Sequence, residues 1–290
     1  MYEANLLINP KNQLGECPIW CEKDQALYWI DIALPGIYQY QSKTKQMDHW
    51  SLPKPIGSFT QKKSGGFLLC FRSGFASLDT LGGPVVWLNQ SKITESNERF
   101  NDGKSDALGR FWVGTMDKNL KQPLGALYRF DNEMKSDEMD RGFTISNGIA
   151  WSPDNKTMYF SDTPARIIYA YDFDLESGDI ENRRIFATLD DSPGRPDGST
   201  VDAEGFLWSA RVAGGRIDRY DPSGKIERSI QLPISRPTSM VFGGPKMETL
   251  FITTSAMSLS DEQLRNEPLA GGVFSIETGI KGHLEHAFSG

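Results

Sequence analysis

At 290 residues and a formal net charge of −7, with no Lys/Arg stripe to override that balance locally, the chain lacks the electrostatic footprint of a nucleic-acid binder. No stretch approaches the roughly 18 consecutive apolar residues of a membrane span, and the N-terminal MYEANLLINPKNQ has no basic region followed by a long apolar core. A cytoplasmic protein with neither nucleic-acid nor membrane partners is therefore expected.

Taken in chain order, the strongest predicted strands are LYWID from Leu27, FLLCF from Phe67, FWVGTM from Phe111, MYFSDT from Met158, LWSAR from Leu207 and LFITTS from Leu250. They recur at a period of roughly 40 to 50 residues, the signature of a propeller or an array of blades. Within the fourth copy, MYFSDT is followed by IIYAYDFD from Ile167, a turn at Glu176-Ser177-Gly178-Asp179, and NRRIFATL from Asn182. The fifth copy repeats the order with RIDRYD from Arg216, Pro222-Ser223-Gly224 and KIERSIQL from Lys225. Strands alternating with hairpin signals predict a meander. The 28 Gly and 16 Pro suit that many tight turns. Only Ser260 to Asn266 reads as helix. The fold expected is all-β, a six-bladed β-propeller forming a single domain over 1–290.

Ahead of the strands, ECPIWCEKD, NDGKSDALG, NGIAWSPDN and DGSTVDAEG stack with Glu16, Asn101, Asn147 and Asp197 at one repeat position. Taken singly, Asn147-Gly148 and Asp197-Gly198 are ordinary turn formers. In a propeller, however, the innermost strands line a central channel, so equivalent positions face one axis. Converging carboxylates and amides would oppose one another without a cation. Glu16 and Asp197, with an amide oxygen from Asn147 or Asn101, make an oxygen-only set suited to Ca²⁺, Mg²⁺ or Mn²⁺, though Zn²⁺ and Fe²⁺ also accept carboxylates. The repeat puts Ile56 and Pro237 in the corresponding places of the other two blades, which leaves an open side for water or substrate.

Cys17 and Cys21 form a C-x-x-x-C pair without a second pair of ligands, and with Cys70 they are expected to be incidental buried thiols. His49, His283 and His286 sit in no motif, which removes Ser-His-Asp and Cys-His schemes. Trp20 and Trp151, at matching repeat positions, are expected to be core packing between blades, while Asp102 fits equally a turn or the positioning of a ligand.

LGECPIW at Leu14 to Trp20, RFNDGKSDALGRFWVGTM at Arg99 to Met116, SNGIAWSPD at Ser146 to Asp154 and RPDG at Arg195 to Gly198 closely resemble the senescence-marker-protein-30/gluconolactonase family, over nearly the whole chain. The resemblance implies a six-bladed propeller with a central-channel metal site. There Glu16, Asn147 and Asp197 bind one divalent ion, Arg99 and Asn101 hold substrate hydroxyls, and Asp197 acts as general base. It also implies that Asn119 stands where animal members carry a substrate-contacting Glu, so the sugar preference is not carried over.

The chemistry expected is hydrolysis of an aldono- or aldarolactone by a metal-activated water, with no covalent nucleophile. A diacid lactone would want a further cation, for which Arg141 or Arg195 is available. A monomer or weak oligomer is expected. The alternatives are a phosphoester or fluorophosphate hydrolase on the same metal, or a non-catalytic calcium-binding propeller.

Overall fold

The structure is a computed structural model, described here for residues 2–90 and 97–290. Among these residues the chain forms six four-stranded antiparallel sheets and one short helix. Strand β1 (Asn5–Ile8) precedes the first complete meander of β2 (Gly15–Cys21), β3 (Ala26–Asp31), β4 (Gly36–Gln41) and β5 (Met47–Ser51). The second sheet is β6 (Ile56–Gln61), β7 (Phe67–Phe71), β8 (Gly74–Leu78) and β9 (Val86–Gln90). The third is β10 (Glu98–Ser105), β11 (Phe111–Asp117), β12 (Gly125–Phe130) and β13 (Ser136–Phe143). The fourth is β14 (Ser146–Trp151), β15 (Thr157–Asp162), β16 (Ile167–Phe173) and β17 (Ile180–Thr188). The fifth is β18 (Arg195–Val201), β19 (Leu207–Val212), β20 (Arg216–Tyr220) and β21 (Ile226–Gln231). The last is β22 (Pro237–Gly243), β23 (Thr249–Thr254) and β24 (Val273–Glu277), completed by β1 at its edge. Helix α1 (Asp261–Asn266) is capped by Ser260, whose side chain accepts from Gln263 N while Gln263 reaches back, a full capping box.

Each sheet grades from a buried first strand to an exposed fourth one. Strands β2 and β22 are buried throughout, while β13 and β17 expose the charged runs SDEMDR and ENRR. Charge on these last strands protects their unpaired edges from association.

Two compact units divide the sheets. One holds residues 1–52 and 189–284, with the first, fifth and sixth sheets; the other holds 53–188 and 285–290, with the second, third and fourth. The first unit's core gathers Trp20, Trp29, Trp208, Phe242 and Phe251, with Trp20 stacked on Phe251 at 5.4 Å. In the second, Phe75 lies 5.0 Å from Phe100, and Trp151 meets Trp112 edge-on at 6.1 Å. Trp20 and Trp151 thus pack as expected.

All six first strands share one irregularity. Their pairing with the second strand slips between Glu16 and Ile19, Ile56 and Ser58, Phe100 and Gly103, Asn147 and Ala150, Pro196 and Ser199, and Pro237 and Ser239. Each slip is a β-bulge that inserts a residue on the first strand and re-aims its side chains. Asn147-Gly148 and Asp197-Gly198 therefore lie inside strands rather than in turns. The register also corrects the alignment in the other two blades by one residue. Trp20, Ser105, Trp151 and Val201 pair with Leu27, Phe111, Met158 and Leu207, and the matching pairs are Gln61 with Phe67 and Phe242 with Leu250. The equivalents of Glu16 are thus Gly57 and Thr238, not Ile56 and Pro237. Thr238 does bring a hydroxyl, but it donates to Gly15 O at 2.6 Å and lies 3.0 Å from Thr253 Oγ1.

Candidate active site

Four bulges carry the oxygen-bearing residues. Glu16 and Asp197, both in the first unit, are buried carboxylates. Cys17 N donates to Glu16 Oε2 at 3.2 Å, and Cys17 itself holds a φ of 49°, the left-handed region that an L residue occupies only under constraint. Beside Asp197, Gly198 has no room for a side chain: a Cβ there would run into Ser239 on the adjacent first strand.

In the second unit a directed relay connects three residues. Arg99 Nη1 donates to Asn101 Oδ1 at 3.1 Å, Asn101 Nδ2 donates to Asn147 Oδ1 at 2.9 Å, and Asn147 Nδ2 donates to Thr163 Oγ1 at 2.9 Å. Each amide is oriented by a donor on one side and an acceptor on the other. Asn101 Nδ2 also reaches Ser146 O at 2.9 Å, and Asp102 Oδ2 accepts from Gly148 N at 2.9 Å. Asp102 therefore anchors the backbone just after Asn147, where Gly148 adopts a φ of 65°. Asp102 itself lies within β10, not in a turn.

Arg99 is half-buried, and burial, with the nearby Arg72 charge, pulls its guanidinium below its ordinary value to about 10. Arg72 had no signal in the sequence. It opens the two-residue turn between β7 and β8, outside any motif. Asn119 lies in an exposed turn after β11, its N–H donating to Asp117 Oδ1 at 3.1 Å. Nothing in the relay touches it.

Arg141 is not available to a ligand. Its Nη1 donates to Glu98 Oε1 at 3.0 Å and to Leu124 O, and Nε and Nη2 bind Glu138 and the Tyr128 hydroxyl. The glutamates hold its guanidinium firmly charged. Arg195 is exposed at the start of β18.

The three cysteines are free and buried, and burial pushes the Cys70 thiol up, so it is inert at neutral pH. Among the described residues, no three of His, Cys, Asp and Glu gather as a metal cluster. Asn147, with its Oδ1 oriented by Asn101, has the donor chemistry of a hard-cation ligand, as do the Glu16 and Asp197 carboxylates.

Six sheets, each running from a buried first strand to an exposed fourth, with the same bulge repeated on the first strands, define a six-bladed β-propeller. Residues 14–256 match the family described as the SMP-30/Gluconolactonase/LRE-like region, and the chain belongs to that family. Among its relatives, a 6-deoxy-6-sulfogluconolactonase of Pseudomonas putida is 37% identical over 98% of both chains. Regucalcin of Xenopus laevis is 35% identical over 98% of this chain and 97% of its own. A solved structure titled a calcium-binding protein, regucalcin, from Agrobacterium tumefaciens superposes with a TM-score of 0.94 at 25% identity, covering 99% of this chain and 97% of that one.

Proposed function

We propose that this protein hydrolyses a sugar lactone to the open-chain sugar acid, using a divalent ion held by Glu16, Asn147 and Asp197. The observation that carries this reading is the repeated bulge, which gives four first strands an oxygen-bearing residue at one register position. The lactonase named among the relatives supports the substrate class. Two buried carboxylates and an oriented amide oxygen fit a hard divalent cation such as Ca²⁺, Mg²⁺ or Mn²⁺, with Zn²⁺ and Fe²⁺ also accommodated.

When bound, such an ion would polarise the lactone carbonyl and lower the pKa of a coordinated water. The protein's own groups do the rest. Asp197 takes the proton of the attacking water and returns it to the ring oxygen as the ester bond breaks. Arg99 and Asn101 grip polar groups of the sugar, and their hydrogen bonds through Asn147 lock that grip to the ligand set.

A lactone panel read with a pH indicator, on protein stripped by chelator and reloaded with single metals, tests this. Turnover lost on chelation and restored by one ion is expected. Full metal-restored turnover in Asp197→Ala would overturn the general-base role. Metal binding without turnover on any lactone would point instead to a calcium-binding propeller.

A further inference from the structure

Five arginines of the second unit are matched to a carboxylate: Arg110 to Asp106, Arg129 to Asp137, Arg141 to Glu98, Arg183 to Asp140 and Arg184 to Asp172. Arg99 is different. Among the described residues it has no acidic partner; Nη1 is held by Phe100 O and Asn101 Oδ1, both at 3.1 Å, and Nε and Nη2 make no hydrogen bond. The charge that bears on it is a second cation, Arg72.

The position of Arg72 is built into the fold. Its N–H donates to Pro55 O at 3.2 Å, and its carbonyl accepts from Phe100 N at 3.2 Å. The turn is thereby pinned to Pro55 just before β6 and to Phe100 within β10, next to Arg99, while the Arg72 side chain stays exposed. Holding two guanidiniums together, one of them half-buried, is unfavourable unless an anion joins them. A planar fork of donors suits a carboxylate or sulfonate better than a neutral hydroxyl.

We infer that Arg99 and Arg72 form an anion subsite that reads a permanent negative charge on the substrate, away from the lactone carbonyl, so that the substrate class is an acidic sugar lactone. This deepens the lactonase reading and rests on it. The carboxylate released by hydrolysis is a poor candidate for the charge being read. A subsite for that group alone would hold product rather than favour the transition state.

Calorimetry on the metal-loaded protein separates the cases, using a neutral alditol, a monoanionic aldonate and a dianionic aldarate of equal length. A terminally sulfonated aldonate distinguishes sulfonate from carboxylate. The wild type should bind a dianion at least about tenfold more tightly than the monoanion, a difference of about 1.4 kcal/mol. Arg72→Gln should erase most of that advantage, and Arg72→Lys should keep part of it. The ratio of kcat/KM for acidic over neutral lactones should fall in parallel. A wild type that binds dianion and monoanion alike, or an Arg72→Gln that weakens all ligands equally, overturns the subsite. Dianion preference with no lactone turned over keeps the subsite and removes the lactonase reading.

Discussion

Asn101 Nδ2 donates to Asn147 Oδ1 across 2.9 Å, joining the third and fourth sheets where both first strands bulge. Because Asn147 Nδ2 is already engaged by Thr163, the oxygen of Asn147 has one orientation. In the proposed site, Asn101 therefore orients the ligand oxygen as well as gripping the substrate.

Removing that donor should therefore act on the metal. In Asn101→Ala, calorimetric affinity for the activating ion is expected to fall about 10- to 100-fold, together with activity. Asn147→Ala should lose as much, and the double variant little more than either single one. Additive losses would show the two amides working independently.

Arg99→Met exchanges a poorly compensated cation for an apolar chain of similar length. A base whose value drops on folding costs stability while it is charged, and that cost is relieved as pH climbs from about 10 toward the guanidinium's ordinary value. At neutral pH the ligand-free variant should be stabilised by on the order of 1 kcal/mol, a rise of about 2 °C or more in thermal midpoint, while catalysis collapses. Scanning calorimetry decides; a lower midpoint would mean that the bonds to Phe100 O and Asn101 outweigh the charge.

The left-handed backbone at Cys17 gives a third expectation. Cys17→Gly should be neutral or mildly stabilising, because glycine accepts a φ of 49° without strain. Cys17→Val should cost about 1–2 kcal/mol in urea unfolding and also weaken metal binding, since Glu16 Oε2 is held by the Cys17 N–H. Equal stability of the two variants would argue against constraint at this bulge.

Asp202 anchors a turn and a core residue together. Its Oδ1 accepts from Glu204 N and Phe206 N, and its Oδ2 from Trp208 Nε1 at 2.7 Å and Arg219 Nε at 2.9 Å. Asp202→Ala leaves a buried indole N–H and part of a buried guanidinium without acceptors, a loss of about 3 kcal/mol. The urea midpoint should drop accordingly, with little change in the metal affinity of the protein that remains folded.

The period of the blades was readable because each second strand is an apolar burst such as LYWID or FWVGTM, set between turn signals. Glu16, Asn101, Asn147 and Asp197 were readable because polar residues at equivalent points of buried strands need a reason to be there. Gly57 and Thr238 were misplaced by one residue because the turn between first and second strands varies in length from blade to blade, being longer between Phe242 and Leu250 than between Gln61 and Phe67. Asp106 and Asp202 share D-A-x-G-x-x-W spacing, yet their grip on Trp112 and Trp208 could not be separated from turn chemistry until the indoles were seen to reach them. Arg72 was invisible because its proximity to Arg99 comes from hydrogen bonds between sheets, not from any local pattern.

The pairing of β1 with β24 sets Asn5 against Ser275, so one sheet is assembled from opposite ends of the sequence. β1 is synthesised long before β24 and must wait for its neighbour, and until the two meet, β24 offers an open ladder to any other chain. Closure of that sheet works as a clasp whose fastening reports that nearly everything between has been made. Shielding that edge during synthesis is a task left to the folding chain or its chaperones.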